Sequence, residues 1–139
     1  MNPNTALTLA APTVLATSSG GLFRGKFRMR FARIDLTTDR LQIHERNRWL
    51  ASMGLLGFLL ARWLAPKLVV DLPLAQIATL ARGKFGLNKK ILDLTATDGA
   101  SYRLTITDYD AFTARLREQI ALQARLLDDG EERWRVLAA

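Results

Sequence analysis

The sequence predicts a mainly β (α+β) domain: a partly open barrel of about seven antiparallel strands, capped by a C-terminal α-helix. Two observations predict this class. Short segments of alternating or β-branched residues are separated by turn-forming residues along most of the chain. Near the C-terminus this alternation gives way to one apolar stripe at helical spacing, formed by Tyr109, Phe112, Leu116, Ile120 and Leu127.

The first strands are predicted over residues 13–18, before Gly20-Gly21, and over residues 26–36. In the second segment Lys26, Arg28 and Arg30 alternate with Phe27, Met29 and Phe31, so we expect the apolar set to face the core and the basic set to face water. The phase of the alternation then changes, which predicts a β-bulge near Ala32. Residues 41–46 supply the hairpin partner.

Further strands are predicted over residues 67–72, 76–82, 91–97 and 101–107, with Asp98-Gly99 as a short hairpin turn and a basic, glycine-containing loop over residues 83–90. Asp108 suits a helix N-cap, with Asp110 in the first turn, and the helix is expected to run to about Leu127. We therefore predict a flexible N-terminal arm over residues 1–12, a domain over 13–127 and a C-terminal tail over 128–139.

Residues 49–65 form a block that is apolar nearly all round and is predicted as a helical insertion. The block is shorter than the roughly 20 residues that span a bilayer, and Arg62 lies inside it. Three interpretations stay open: part of the domain core, contact with a membrane interface, or the interface of a homodimer. The candidate contact residues are Trp49, Met53, Leu56, Phe58, Leu60 and Trp63.

The charge of the chain is uneven. The net charge is +7, yet residues 1–90 carry 14 Lys or Arg against 4 Asp or Glu, whereas residues 91–139 carry 6 against 9. This pattern favours a basic face that meets an anionic membrane surface or a protein partner, and a merely solvated basic surface is the alternative. The candidate binding residues are Lys26, Arg28, Arg30, Lys84, Lys89 and Lys90. Nucleic acid is disfavoured, because the aromatic residues of the basic strand are expected on its opposite face.

The sequence offers few residues that could carry out catalysis or bind a metal ion. The absence of cysteine excludes a disulfide, a thiolate nucleophile and a cysteine metal site, and the single histidine, His44, excludes a histidine-rich metal site. No P-loop or G-x-G-x-x-G motif occurs. We therefore predict a non-enzymatic protein without cofactor or metal. Residues 1–12 have neither the charge nor the apolar run of a secretory signal, so we expect a cytoplasmic protein, peripheral on the inner face of the membrane.

Four segments between about Leu22 and Ile120 resemble a bacterial GRAM domain, a member of the pleckstrin-homology (PH-like) superfold. They are Gly21–Gly25, the L-T-x-x-R-L turn Leu36–Leu41, the strand entry Asp71–Ile77 and the basic hairpin Arg82–Lys89. Arg28-Met29-Arg30 is similar to the Arg-x-Arg of phosphoinositide-binding PH domains, although Lys26 lies closer to it than in that motif. The resemblance implies a non-catalytic module that binds lipid headgroups or other proteins.

Overall fold

The computed structural model describes residues 13–25, 28–45 and 67–138. These ranges contain nine strands, one α-helix and a short 3-10 helix, Leu74–Gln76. The strands are β1 (Val14–Phe23), β2 (Met29–Thr37), β3 (Arg40–Glu45), β4 (Lys67–Pro73), β5 (Ile77–Phe85), β6 (Asn88–Ala96), β7 (Ser101–Ile106), β8 (Ala124–Gly130) and β9 (Arg133–Ala138), and the helix is α1 (Tyr109–Ala121).

All pairings are antiparallel, and the strands form one sheet in the order β4-β3-β2-β1-β7-β6-β5-β9-β8. Within the described ranges β4 and β8 lie at the two ends of the sheet, so the sheet is not closed. The predicted mainly β class with one helix is confirmed, but the prediction of about seven strands is wrong. The predicted arm 1–12 and helical insertion 49–65 lie outside the described residues.

The core lies on the inner face of the sheet, where α1 covers it. One cluster of buried side chains joins residues of β1 through β7 to the helix, so the sheet curls around a common centre. The predicted helical stripe packs into this cluster through Tyr109, Phe112, Leu116 and Ile120, all buried. Asp110 lies in the first turn as predicted, whereas Asp108 occupies the N-cap position without a side-chain cap hydrogen bond.

The phase of β2 differs from the prediction. The register between β1 and β2 runs without a shift from Ala16 opposite Leu36 to Phe23 opposite Met29, so there is no bulge near Ala32. Ile34 and Leu36 are fully buried, and an unbroken alternation from them places Met29 and Phe31 on the outer face, each 42% exposed. The uninterrupted ladder with β1 therefore determines which side chains of β2 face the core.

Gly20 and Gly21 lie inside β1, although the sequence predicts a turn there. A Cβ atom on Gly20 would overlap the backbone carbonyl oxygen of Thr105 in β7. The missing side chain therefore lets β1 approach β7 closely, which is a common reason for a glycine within a strand.

The chain after α1 also differs from the prediction. The helix ends at Ala121, six residues before the predicted end at Leu127, and the chain forms the β8–β9 hairpin. This hairpin pairs with β5 through three residue pairs and buries Trp134 and Val136 in part against the core. The alternation of apolar and polar residues in β8 and β9 is short and is mixed with charged residues. From the sequence alone this segment therefore looks like the end of a helix followed by a tail.

Candidate functional site

Two hairpin turns carry the predicted basic segments, and they lie at opposite ends of the sheet. Because β1 runs in the same direction as β6, the β1–β2 turn lies at the end where β6 leads into the β6–β7 turn, whereas the β5–β6 turn lies at the start of β6. In the turn between β1 and β2, the Arg24 amide donates a hydrogen bond of 2.7 Å to the Arg28 carbonyl oxygen. In the turn between β5 and β6, Gly86 has a φ of +60°, a conformation that favours glycine. The rings of Phe23 and Phe85 connect the two hairpins, with centroids 5.3 Å apart in an edge-to-face arrangement.

Each of these two rings borders a basic segment predicted from the sequence. Phe23 lies opposite Met29, which stands between Arg28 and Arg30, and Phe85 directly follows Lys84. Five of the six predicted basic residues lie on these two hairpins, and all five are exposed: Arg28, Arg30, Lys84, Lys89 and Lys90. We call Lys84, Lys89 and Lys90, with the β5–β6 turn, the basic end; Arg28 and Arg30 lie at the other end of the sheet. The sixth, Lys26, lies outside the described residues, as do Trp49, Met53, Leu56, Phe58, Leu60 and Trp63.

Most of the positive charge at the basic end is uncompensated. The Lys90 ammonium donates to the carbonyl oxygen of Thr107 at 3.2 Å, which fixes that side chain but leaves its charge unpaired. In the part of the chain that the structure describes, Lys84 and Lys89 form no ion pair, and neither do Arg28 and Arg30 at the other end of the sheet. This end of the domain therefore presents a positive field to an approaching anionic surface.

Large apolar side chains stand among these charges. Leu87, at the tip of the β5–β6 turn, is 99% exposed, and its neighbour Phe85 is 40% exposed. Met29 lies on the β1–β2 hairpin, where its side chain covers Gly21. Leu87 was not among the binding residues predicted from the sequence. Its position could have indicated exposure, because Leu87 is an apolar residue between the turn-forming residues Gly86 and Asn88 in a predicted loop.

Arg82, at the base of the β5–β6 hairpin, is engaged within the domain. Its Nε donates to the carbonyl oxygen of Lys89 at 2.7 Å, and its Nη1 lies 3.1 Å from a carboxylate oxygen of Glu132. Its guanidinium also lies 4.4 Å from the ring centroid of Tyr109, a cation–π contact. Burial raises the pKa of Tyr109 to about 12, more than the opposing effect of the Arg82 charge lowers it. Arg82 therefore links β5 to β6, to the β8–β9 turn and to α1.

His44 takes part in a polar cluster on the outer face of β1, β2 and β3. Its Nε2 lies 3.6 Å from a carboxylate oxygen of the buried Asp35. Asp35 also accepts hydrogen bonds from the Thr17 hydroxyl at 2.6 Å and from Arg33 Nε at 3.1 Å. These contacts link β1 to β2 through Thr17 and β3 to β2 through His44, while Arg33 and Asp35 both lie in β2. Over the residues that the structure covers, no group of three or more His, Asp or Glu side chains could hold a metal ion.

Comparisons with solved structures identify the fold. The C-terminal domain of an unknown protein from Leishmania infantum matches with a TM-score of 0.59 and 13% identity, over 85% of this chain and 97% of that chain. The DH/PH fragment of PDZRHOGEF, solved in complex with human RhoA, matches with a TM-score of 0.57 and 14% identity, over 88% of this chain and 34% of that chain. The N-terminally truncated Linker-DH/PH domains of p115-RhoGEF match with a TM-score of 0.52 and 11% identity, over 86% of this chain and 34% of that chain.

The chain has a PH-like fold. At these identities the likeness establishes the fold alone, and this chain spans about a third of the length of the RhoGEF fragments that it matches. No family model matches the sequence, and no curated protein matches it. The resemblance to bacterial GRAM domains therefore stays a prediction. Among the described residues, no helix is long and apolar enough to cross a membrane.

Proposed function

We propose that this chain is a non-enzymatic PH-like module that binds anionic membrane surfaces peripherally, on the cytoplasmic side, through the basic end. The single observation that carries this proposal is the fully exposed Leu87 on the same hairpin as the exposed Lys84 and Lys89. An exposed apolar residue with cations on either side of it along the hairpin suits the boundary between lipid headgroups and acyl chains. Each basic residue near an anionic surface contributes about 1 kcal/mol.

The β1–β2 hairpin carries a second group of exposed cations. Arg28 and Arg30 are exposed, and Met29 between them is 42% exposed. The Phe23–Phe85 contact links this hairpin to the β5–β6 hairpin. Because the two turns lie at opposite ends of the sheet, we assign the main membrane contact to the β5–β6 hairpin.

The non-enzymatic part of the proposal is supported by the surroundings of His44. The carboxylate that faces its ring, Asp35, already accepts hydrogen bonds from Thr17 and Arg33. A general base needs a partner acid that orients it toward a reacting group, whereas this cluster connects positions within the sheet. We therefore assign His44 a structural role.

Vesicle co-sedimentation tests the proposal. We expect binding to vesicles of phosphatidylcholine mixed with phosphatidylglycerol, no binding to phosphatidylcholine alone, and weaker binding as salt rises from about 0.05 M to about 0.5 M. Lys84→Glu with Lys89→Glu should abolish binding while the circular dichroism spectrum stays unchanged, and Arg28→Glu with Arg30→Glu should act in the same direction. Binding that is indifferent to salt and to lipid charge would exclude the electrostatic mechanism.

A matched control separates local from global charge. Arg115→Glu with Arg125→Glu changes the net charge by the same amount on exposed residues of α1 and β8. Arg125 lies opposite Leu137, toward the end of β9 that is remote from the β5–β6 turn. We expect this control variant to keep most of the binding. An equal loss in both variants would show that net charge alone, without the basic end, determines binding.

A second candidate function is a protein-interaction module. One structural neighbour is a DH/PH fragment solved in complex with RhoA, so PH-containing fragments of this fold occur in complexes with proteins. In this chain the homodimer predicted through residues 49–65 is the specific form to test. Light scattering that gives a dimer mass, and a monomer for Leu56→Asp with Phe58→Asp, would support it. A monomer mass for the unaltered chain at every concentration would exclude it.

A further inference from the structure

A second charged turn lies close to the basic end. The turn between β8 and β9 carries four carboxylates within five residues, and all four residues are exposed: Asp128, Asp129, Glu131 and Glu132. We call these four residues the acidic turn. They account for most of the negative excess of the C-terminal third of the chain.

Only half of this negative charge is balanced. Glu132 pairs with Arg82 at 3.1 Å, and Asp129 pairs with Arg135 at 2.7 Å. Asp128 accepts a hydrogen bond of 2.8 Å from the Gly130 amide, which leaves its charge in place. Glu131 has no cationic partner within residues 13–25, 28–45 and 67–138. Two carboxylates of the acidic turn therefore act on their surroundings as uncompensated charges.

The position of the acidic turn is fixed against the β5–β6 hairpin. The Arg82 amide donates to the carbonyl oxygen of Glu132 at 3.2 Å, while the Arg82 side chain bonds both Glu132 and the carbonyl oxygen of Lys89. A single guanidinium group thus separates the Glu132 carboxylate from the backbone of Lys89, a residue of the basic end. This spacing is comparable with the Debye length, about 8 Å at physiological ionic strength. An anionic surface that approaches the β5–β6 turn therefore also approaches the acidic turn.

The backbone of the turn keeps the carboxylates in this place. Gly130, Glu131 and Glu132 have φ values of 82°, 54° and 57°, so both loop residues adopt the left-handed conformation of a type I′ hairpin. Glutamate is disfavoured in this conformation, and the bonds from Arg82 to the backbone and side chain of Glu132 hold it there.

We infer that the acidic turn opposes the binding of the basic end to anionic membranes and thereby sets the surface charge that binding requires. This inference rests on the proposed membrane function and adds a regulation of the same site. An anionic surface attracts the cations on the β5–β6 hairpin and repels the adjacent uncompensated carboxylates. Weakly charged membranes are therefore rejected, and strongly charged membranes are bound with the tip of the β5–β6 hairpin foremost.

The test compares two variants with the same change in net charge. Asp128→Asn with Glu131→Gln neutralises the two uncompensated carboxylates and keeps the acceptor that binds the Gly130 amide. Asp98→Asn with Glu118→Gln is the matched control, since Asp98 accepts the same kind of hydrogen bond, from Ala100, in the turn at the opposite end of β6. Both variants are measured by co-sedimentation with phosphatidylcholine vesicles that contain increasing fractions of phosphatidylglycerol.

We expect the first variant to bind about five-fold more tightly than the unaltered chain at low salt and to need less phosphatidylglycerol for half-maximal binding. The control should change binding by less than about two-fold, and high salt should remove the difference between the variants. Equal effects of the two variants would overturn the inference while leaving the membrane function in place. If the unaltered chain binds none of these vesicles at low salt, both the proposed function and this inference are wrong.

Discussion

Leu87 should act as the apolar anchor of the basic end, and Leu87→Ala tests this role. The substitution removes three side-chain carbon atoms from a residue that is 99% exposed, so the folded domain loses almost no packing. At about 0.8 kcal/mol for each buried CH₂ group, full insertion of those atoms into a membrane contributes about 2.4 kcal/mol. Insertion to half that depth contributes about 1.2 kcal/mol and corresponds to a roughly ten-fold loss of affinity.

The assay is co-sedimentation with phosphatidylglycerol-containing vesicles, accompanied by a thermal unfolding curve. Leu122→Ala is the matched control, because Leu122 is 80% exposed in the turn that follows α1, on a different element from the basic end. We expect Leu87→Ala to weaken binding about ten-fold with an unchanged melting temperature, and Leu122→Ala to change neither quantity. Unaltered binding by Leu87→Ala would refute insertion and leave electrostatics as the whole of the interaction.

Three further predictions concern stability. Gly20→Ala should lower the free energy of unfolding by about 2 kcal/mol or more in a denaturant titration, because its Cβ would overlap the Thr105 carbonyl oxygen. Gly21→Ala should cost less in the same titration, because its Cβ would meet the flexible Met29 side chain and would lie 3.1 Å from the Arg30 carbonyl oxygen. Glu131→Asn should raise this free energy by about 1 kcal/mol, since asparagine tolerates the left-handed backbone; Glu131→Ala loses the same charge without that gain, so equal values would contradict the argument. Because the folded-state pKa of Tyr109 is raised to about 12, its contribution to stability is present below about pH 10 and lost as pH rises through about 12. Chemical unfolding across this range should show a steeper fall for the unaltered chain than for Tyr109→Phe.

Local patterns predicted the elements with strong periodicity. The apolar spacing of Phe112, Leu116 and Ile120 identified α1, and Asp98-Gly99 identified the β6–β7 turn. In both cases the signal lies within a few consecutive residues and has one structural interpretation. The basic segments around Arg28 and Lys84 were also identified locally, since exposed charge follows from composition alone.

The errors arose where tertiary context decides. The side to which Met29 and Phe31 point depends on whether β2 keeps its ladder with β1, and the sequence of β2 contains no information about that partner. The β8–β9 hairpin is stable because Trp134 packs against the core and β9 pairs with β5, which are contacts across about 50 residues of sequence. A short mixed segment of this kind has weak periodicity, and it forms strands only after the surface that receives it has folded.

The adjacency of the two charged turns is also a tertiary property. The sequence separates a basic portion from an acidic portion, which by itself suggests opposite charges at opposite ends of the domain. The pairing of β9 with β5 instead brings Glu132 to Arg82, two residues before Lys84. The charge that a membrane meets is therefore set by which cations remain unpaired after the C-terminal hairpin has docked. For this reason the effect of neutralising Asp128 and Glu131 depends on their position beside the basic end, and the same change at Asp98 and Glu118 provides the measure of net charge alone.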